Sequence, residues 1–481
     1  MQERNSVAEL AGVLRNELDR YSPGEKLPSS RALVERFRVS PVTVSRAVAA
    51  LAAEGLVVTR PGAGAFRARP PAERHRPADT SWQQVALSAE TGEEAVPRSV
   101  DATGVLATLT EAPPGVIDLS GGYLHPALQP ERALAAALAR AGRRPGAWAR
   151  PPLEGVGELR AWFAREIGGP AGTLTPAEVL ITAGGQSALT TALRALAPPG
   201  APVLVESPTY PGMLAAARAS GLRPVPVPVD TGGVRTELLA EAFRASGARV
   251  FVCQPLFQNP TGIVLEDRRR REVLDIARRA GAFVIEDDFA RRLAHEGGPA
   301  LPPPLIADDA DGVVVHVCSL TKITSPSLRV GALAARGPVL QRLRAIQVVD
   351  SFFVPRPLQE TALELVGSPA WARHRRMVAA ELRTRAAALL TALRTELPSC
   401  EVEFVPPGGF HLWLRLPGGA DDGAVAAAAL RAGVAVPPGR PYYAAEPPAP
   451  HLRLCWAAVS GTAELAEGVR RLRTAVESAG G

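Results

Sequence analysis

Beyond residue 113 the chain alternates short apolar runs with amphipathic stretches rich in Ala, Leu and Arg. The runs Val179 to Thr182, Val203 to Glu206, Arg223 to Val229, Val250 to Cys253, Phe283 to Asp287 and Val313 to Cys318 read as strands, and the stretches between them as helices. Strands separated by helices predict βαβ crossovers and a mainly parallel sheet. After Leu343 the pattern turns helical through about Leu397, then gives short strands at Glu401 to Val405, Phe410 to Leu416 and His451 to Trp456. That ending predicts a smaller α+β domain closing the chain.

The first 69 residues have a different pattern. Ser29 or Ser30 caps a helix from about Ala32 to Phe37, and Ser40 caps a second one with Pro41 at its first position, which proline tolerates. Two short helices joined by a tight turn predict a helix-turn-helix, with Thr43, Ser45 and Arg46 near the start of the second, where side chains reach base edges and phosphates. Leu56 to Thr59 and Ala65 to Arg67 then pair across Pro61-Gly62-Ala63-Gly64 as a wing that carries Arg60 and Arg67. Residues 70–112, rich in Pro, Ala, Glu and Thr, read as a linker, with an apolar patch at Trp82 to Leu87 that docks or forms a short helix. The predicted organisation is therefore a head over 1–69, a linker over 70–112 and a large body over 113–481, its large part about 150–345 and its small part about 346–481.

Composition sharpens this outline at three points. With 481 residues and 46% apolar content the chain is too long for one core, since single cores rarely grow past about 250 to 300 residues. The formal charge of +6 is thinly spread, but residues 1–69 hold eleven basic and seven acidic side chains, a net of +4 that permits nucleic-acid binding. Cys253, Cys318, Cys400 and Cys455 never form a C-x-x-C pair, so no zinc site or disulfide framework is expected. No stretch reaches the roughly 18 apolar residues needed to span a bilayer, and a soluble, cytoplasmic protein is expected.

Lysine occurs twice, at Lys26 and Lys322, although Lys and Arg together number 54. A lysine amine can lose its proton and condense with an aldehyde, which a guanidinium cannot do. Around Lys322 the chain offers matching chemistry. Val179 to Thr182 runs into Ala183-Gly184-Gly185-Gln186, a strand, glycine turn and helix start that either closes an ordinary turn or aims N–H groups at an anion. Tyr210 follows a strand end and can stack on a planar ring or serve as a core tyrosine; Asn259, after another strand, offers an amide to an oxygen. Glu286-Asp287-Asp288 ends a further strand, either as a solvated acidic end or with one carboxylate paired to a ring nitrogen. Ser319 and Arg329 add a hydroxyl and a fork-shaped cation suited to phosphate.

Residues 5–69 resemble the winged-helix domain of the GntR family of bacterial regulators, through Leu27-Pro28-Ser29-Ser30-Arg31, Val39-Ser40, Thr43-Val44, Glu54-Gly55-Leu56 and Pro61-Gly62-Ala63-Gly64. The resemblance implies double-stranded DNA as partner, with Arg31, Ser40, Thr43, Arg46 and Gly64 against the duplex, Arg60 on the wing beside it, and Lys26 either at a phosphate or on a solvated loop. Residues 113–481 resemble the fold-type I aminotransferases, an α/β fold that takes pyridoxal 5'-phosphate. That resemblance implies an internal aldimine on Lys322, Asp287 at the pyridine nitrogen, Asn259 at the ring oxygen, Tyr210 stacked on the ring, and Gly184, Gly185, Gln186, Ser319 and Arg329 around the phosphate. Within His451-Leu452-Arg453-Leu454, Arg453 matches the arginine that clamps a substrate α-carboxylate.

Head, linker and body in this order are similar to the MocR subgroup of the GntR regulators, as are Ile117-Asp118-Leu119-Ser120-Gly121-Gly122 and Glu154-Gly155-Val156-Gly157-Glu158-Leu159-Arg160. The chain departs from that subgroup at Phe289, where a tyrosine hydroxyl is expected at the cofactor oxygen, and at Trp148 and Arg150, near where a tyrosine reaches the partner subunit's phosphate. Ala290-Arg291-Arg292 replaces a more acidic sequence. The resemblance thus implies a homodimeric DNA-binding regulator that senses the cofactor or an amino-compound effector. The alternatives are a working aminotransferase with an accessory head, which Phe289 would impair, and a regulator that has lost its cofactor.

Overall fold

The computed structural model describes residues 2–60, 62–68, 101–169 and 173–479, in two units that divide at Ala95 and Val96. Most of the predicted linker, including Trp82 to Leu87, lies outside the described residues. Within its last part a helix forms at Thr103–Leu109, which the sequence pattern leaves unassigned.

The first unit contains α1 (Gln2–Glu17), α2 (Ser30–Phe37), α3 (Pro41–Ala53), β1 (Val57–Arg60) and β2 (Gly64–Arg67). Ser29 is the cap of α2, accepting from Ala32 N at 3.2 Å, and Ser40 caps α3, accepting from Thr43 N at 3.1 Å. Val44, Ala47 and Leu51 recur on one face of α3 and pack on Leu33, Val57 and the Leu10, Leu14 and Leu18 edge of the first helical segment. Helix α1 is the element the sequence reading did not assign. Its apolar spacing completes a core in which each fully buried leucine contributes roughly 2 kcal/mol. The wing pairs antiparallel, Val57 with Arg67 through Arg60 with Gly64, and Gly64 turns at φ +106° where a side chain would be strained.

In the second unit the strands are β3 (Ile117–Asp118), β4 (Val179–Thr182), β5 (Pro202–Ser207), β6 (Arg223–Asp230), β7 (Gly233–Val234), β8 (Val250–Cys253), β9 (Phe283–Asp287), β10 (Val314–Ser319) and β11 (Gly331–Ala335). They continue with β12 (Glu401–Val402), β13 (His411–Arg415), β14 (Val434–Ala435) and β15 (His451–Cys455). Eight of them form one sheet in the order β4-β11-β10-β9-β8-β5-β6-β7. The β10, β9, β8, β5 and β6 pairings are parallel, while β11 runs against both β4 and β10. The six strands predicted for this sheet match to within one residue at each end. They read as unbroken apolar runs because helices cover both faces of a parallel sheet. The parallel strands all end on one edge, where open α/β sheets collect ligands.

The long helical stretch is three helices, Val339–Ser351, Arg356–Val366 and Pro369–Glu396. Pro355, Pro357 and Pro369 account for the breaks, because proline cannot continue a helix from the preceding turn. A three-stranded antiparallel sheet, β12-β13-β15, closes the chain, with β3 joined in parallel to β14 beside it. Strand β12 stops before Val405, since Pro406 and Pro407 come next and lack the donors that a ladder needs.

Candidate functional site

Two sites emerge, one in each unit. In the head, Lys26, Arg31, Ser40, Arg46, Arg60 and Gly64 are exposed, and no ion pair neutralises those four cations among the described residues. Arg46 projects from α3 and Arg60 lies over the Phe66 ring at 4.7 Å, while Lys26 bridges to the second wing strand opposite Phe66. Thr43 is placed differently from a surface contact: it is 7% exposed, with its hydroxyl 2.9 Å from Ser40 Oγ. Arg67, a wing cation, is turned inward, donating to Tyr21 O and to Asp19 Oδ1.

The second site lies at the carboxyl ends of the parallel strands. Gly185, Gln186, Tyr210, Asn259, Asp287, Phe289, Ser319, Lys322, Arg329 and Arg453 line one cavity. Gly184 adjoins it: this residue caps the helix Gly185–Leu196 at φ +87°, and a Cβ there would fall 2.8 Å from Arg329 Nη2. Residues hundreds of positions apart meet because most sit at or just past a strand end, while Arg329 precedes β11 and Arg453 lies within β15. The cavity is also lined by Tyr123, Gln254, Thr321, Phe410 and Leu109, which sequence reasoning missed. Gln254 comes directly after β8, so the strand-end argument that found Asp287 applies to it as well.

The three carboxylates at the end of β9 separate by the alternation of a strand, in which successive side chains point to opposite faces. Glu286 accepts from Leu305 N at 2.7 Å and sits 2.8 Å from His316 Nδ1, and Asp288 pairs with Arg291. Asp287 alone faces the cavity, 4% exposed, and accepts from Gln254 Nε2 at 2.6 Å. Burial pushes its carboxyl up to about 6, against the Gln254 hydrogen bond and the attraction of Lys322, which pull it down. Gln254 Oε1 in turn accepts from Asn259 N at 2.9 Å, tying the carboxylate and the amide together.

Lys322 Nζ donates to Gly122 O at 2.7 Å and lies 4.0 Å from the centre of the Tyr123 ring. Burial, reinforced by the Arg453 charge, pushes its amine down to about 7, so near neutrality a large fraction is the free base that attacks carbonyl carbon. Arg453, 2% exposed, donates to Ser120 O at 3.1 Å, Gly121 O at 3.0 Å and Tyr442 Oη at 3.3 Å. Three successive carbonyls, Ser120 to Gly122, thus face the two cations. Phe289 stacks on His411 and meets Phe410 edge-on, both with centroids 6.4 Å away. Trp148 and Arg150 lie exposed on this chain, outside the cavity lining.

The donor set fits a phosphorylated aromatic aldehyde. The N-terminus of a twelve-residue helix, Arg329, Ser319 and Thr321 converge where an anion would rest, and Gly184 leaves the space that a Cβ would fill. Gln186 Oε1 and Asn259 Oδ1 are buried without a hydrogen-bond partner among the described residues. Among those residues no group of His, Cys, Asp or Glu side chains is placed to hold a metal ion, and no helix is long and apolar enough to cross a membrane.

This geometry defines a fold-type I aminotransferase body in a chain whose first unit is a winged helix-turn-helix head. The family model for aminotransferase class I and II matches residues 114–472, and that for bacterial regulatory proteins of the gntR family matches residues 8–66. The chain belongs to the class I and II aminotransferase family and, through its gntR head, has the MocR architecture, whose cofactor is pyridoxal 5'-phosphate. It is 34% identical to the 2-aminoadipate transaminase of Thermus thermophilus over 76% of this chain and 91% of that one. It is 29% identical to the HTH-type transcriptional regulator TauR of Rhodobacter capsulatus over 95% of this chain and 93% of that one. The crystal structure of LysN, an alpha-aminoadipate aminotransferase from Thermus thermophilus complexed with N-(5'-phosphopyridoxyl)-L-leucine, superposes with a TM-score of 0.74 at 31% identity, covering 83% of this chain and 98% of that chain.

Proposed function

We propose that this protein is a transcriptional regulator that binds double-stranded DNA through its head and senses pyridoxal 5'-phosphate, or an amino compound that reacts with it, in its body. One observation carries the reading: a buried amine poised near neutrality shares a cavity with a carboxylate and an anion cradle, in a chain that also carries a head with exposed cations. The match over 95% of this chain to a protein named an HTH-type transcriptional regulator supports it.

In this reading Gly184, Gly185, Gln186, Ser319 and Arg329 hold the phosphate, Asp287 the ring nitrogen, Asn259 the ring oxygen and Tyr210 the ring face. When bound, the cofactor supplies an electrophilic carbon and an electron-withdrawing ring. Lys322 presents its amine to that carbon, and Asp287, held by Gln254, keeps a proton at the ring nitrogen. Arg453 binds the carboxylate of the effector with its planar fork. Arg31, Arg46, Arg60 and Lys26 meet the duplex, with Ser40 and Gly64 shaping the approach and Thr43 fixing the start of α3. The protein acts as a cytoplasmic homodimer, and effector binding changes DNA affinity to the extent that it favours one of two states. A second reading, a working aminotransferase, is favoured by the transaminase relative with its 34% identity. Phe289, which brings no hydroxyl to the ring oxygen, weighs against turnover.

The visible spectrum of the purified protein with pyridoxal phosphate tests the first half: a band above the free cofactor's is expected and is lost in Lys322→Ala. Absence of the band in both proteins would remove the cofactor from the account. For the second half, duplexes selected from a randomised pool should bind more weakly to Arg46→Ala, with a salt slope shallower by about 0.9 per lost phosphate contact. Sustained keto-acid production from an amino acid and an acceptor would instead establish the enzyme.

A further inference from the structure

The charged and uncharged parts of the cavity lining narrow the class of effector. Among the described residues that line it, the cations are Lys322, Arg329 and Arg453. Arg329 is committed to the anion cradle, where its Nη2 also donates to Ala183 O at 2.7 Å. Lys322 is the amine that meets the aldehyde. Arg453 is left for one carboxylate, which takes over the donors now directed at Ser120 O and Gly121 O. No further cation in this lining awaits a second carboxylate.

Apart from the polar residues given to the cofactor, with Gln254 and Thr321 beside them, the remaining lining is aromatic and apolar. Tyr123 covers the amine at 4.0 Å, Phe410 lies 6.0 Å from it with Phe289 edge-on beside it, and Leu109 also lines the cavity. A carboxylate placed there would lose its water with no charge partner, whereas an apolar side chain gains from burial. The aromatic rings add a preference for planar groups at stacked or edge-on separations.

We propose, on the footing of the sensing function above, that the effector is an α-amino acid with a single carboxylate and an apolar side chain, aromatic or branched aliphatic. Tyr123 is the specificity-determining residue. Its ring lies 4.0 Å from the amine in the cavity lining, so its size and lack of charge select the side chain that an α-carbon near the amine can carry.

The test uses the full-length, cofactor-loaded protein titrated with L-phenylalanine, L-leucine, L-glutamate and L-aspartate, read by calorimetry and by the shift of the visible band. Phenylalanine and leucine are expected to half-saturate at concentrations at least tenfold below the two acidic compounds. Tyr123→Arg should narrow or invert that ratio, and Tyr123→Phe should preserve it. Equal or tighter binding of the acidic pair would overturn the proposal while leaving amino-acid sensing intact. If none of the four binds a protein that still shows the Lys322-dependent band, effector sensing and this inference fall together. An unchanged ratio in Tyr123→Arg, with the band present, would overturn the role given to Tyr123.

Discussion

Lys322 and Asp287 have their affinities for protons drawn together, the amine down to about 7 and the carboxyl up to about 6, chiefly by burial. Because the folded amine releases its proton near 7 and an unfolded one near 10.5, the native state binds fewer protons between those values, and this group's contribution to stability rises with pH through that window. Amine-directed labelling followed by mass spectrometry of the Lys322 peptide should show half-maximal reactivity near pH 7 in the cofactor-free protein, and a midpoint near 10.5 would refute the depressed value. The residue types were legible in the sequence: a rare lysine, an aspartate at a strand end and an arginine after a phosphate-suited hydroxyl. Tyr123 was not, because a lone aromatic ring announces nothing until its neighbours in space are known, and for Gln254 the strand-end position was legible but its bond to Asp287 was not. Thr43 was legible as a residue of the recognition helix, yet its hydroxyl is engaged by Ser40, a local competition that short polar side chains commonly win.

Strand β11, Gly331–Ala335, escaped prediction because alanine and glycine are poor strand formers; flanking pairings with β4 and β10 impose the conformation. Small side chains also suit its position, since a Cβ on Gly331 would fall 2.7 Å from Cys318 O and 3.1 Å from Gly184 Cα. The turn Ser120–Gly122 is the other element with consequences for the site. Asp118 Oδ1 accepts from Ser120 N, Ser120 Oγ and Gly121 N at 2.6 to 2.9 Å, and so aims the carbonyls at Arg453 and Lys322. A Cβ on Gly121 would fall 2.6 Å from Ala458 Cβ and 2.9 Å from Asp118 Oδ2, so the turn has no slack on that side. Gly121→Ala should therefore lower stability by about 1–3 kcal/mol through overpacking, measured by urea denaturation. A loss below about 0.5 kcal/mol would show that the turn relaxes without strain.

At the level of the whole molecule, alternating strand and helix signals disclosed the mainly parallel sheet, and two capped short helices disclosed the head, because both arise from local periodicity. The pairing of β3 with β14, and the helix Thr103–Leu109 that brings Leu109 to the cavity, depend on contacts between distant segments and left no local trace. The two units have separate cores. Leu51, fully buried in the head, should cost about 2–5 kcal/mol when cut to alanine, enough to unfold so small a core, while the cofactor band of the body persists. Loss of both duplex binding and the band in Leu51→Ala would show that the units stand or fall as one. The scarcity of lysine has a practical corollary. Lys26 lies in one unit and Lys322 in the other, so a single acylating reagent leaves two separable lysine marks in one digest. Shielding of the first would footprint the duplex and shielding of the second the small molecule, letting both occupancies be followed together in an unmutated sample.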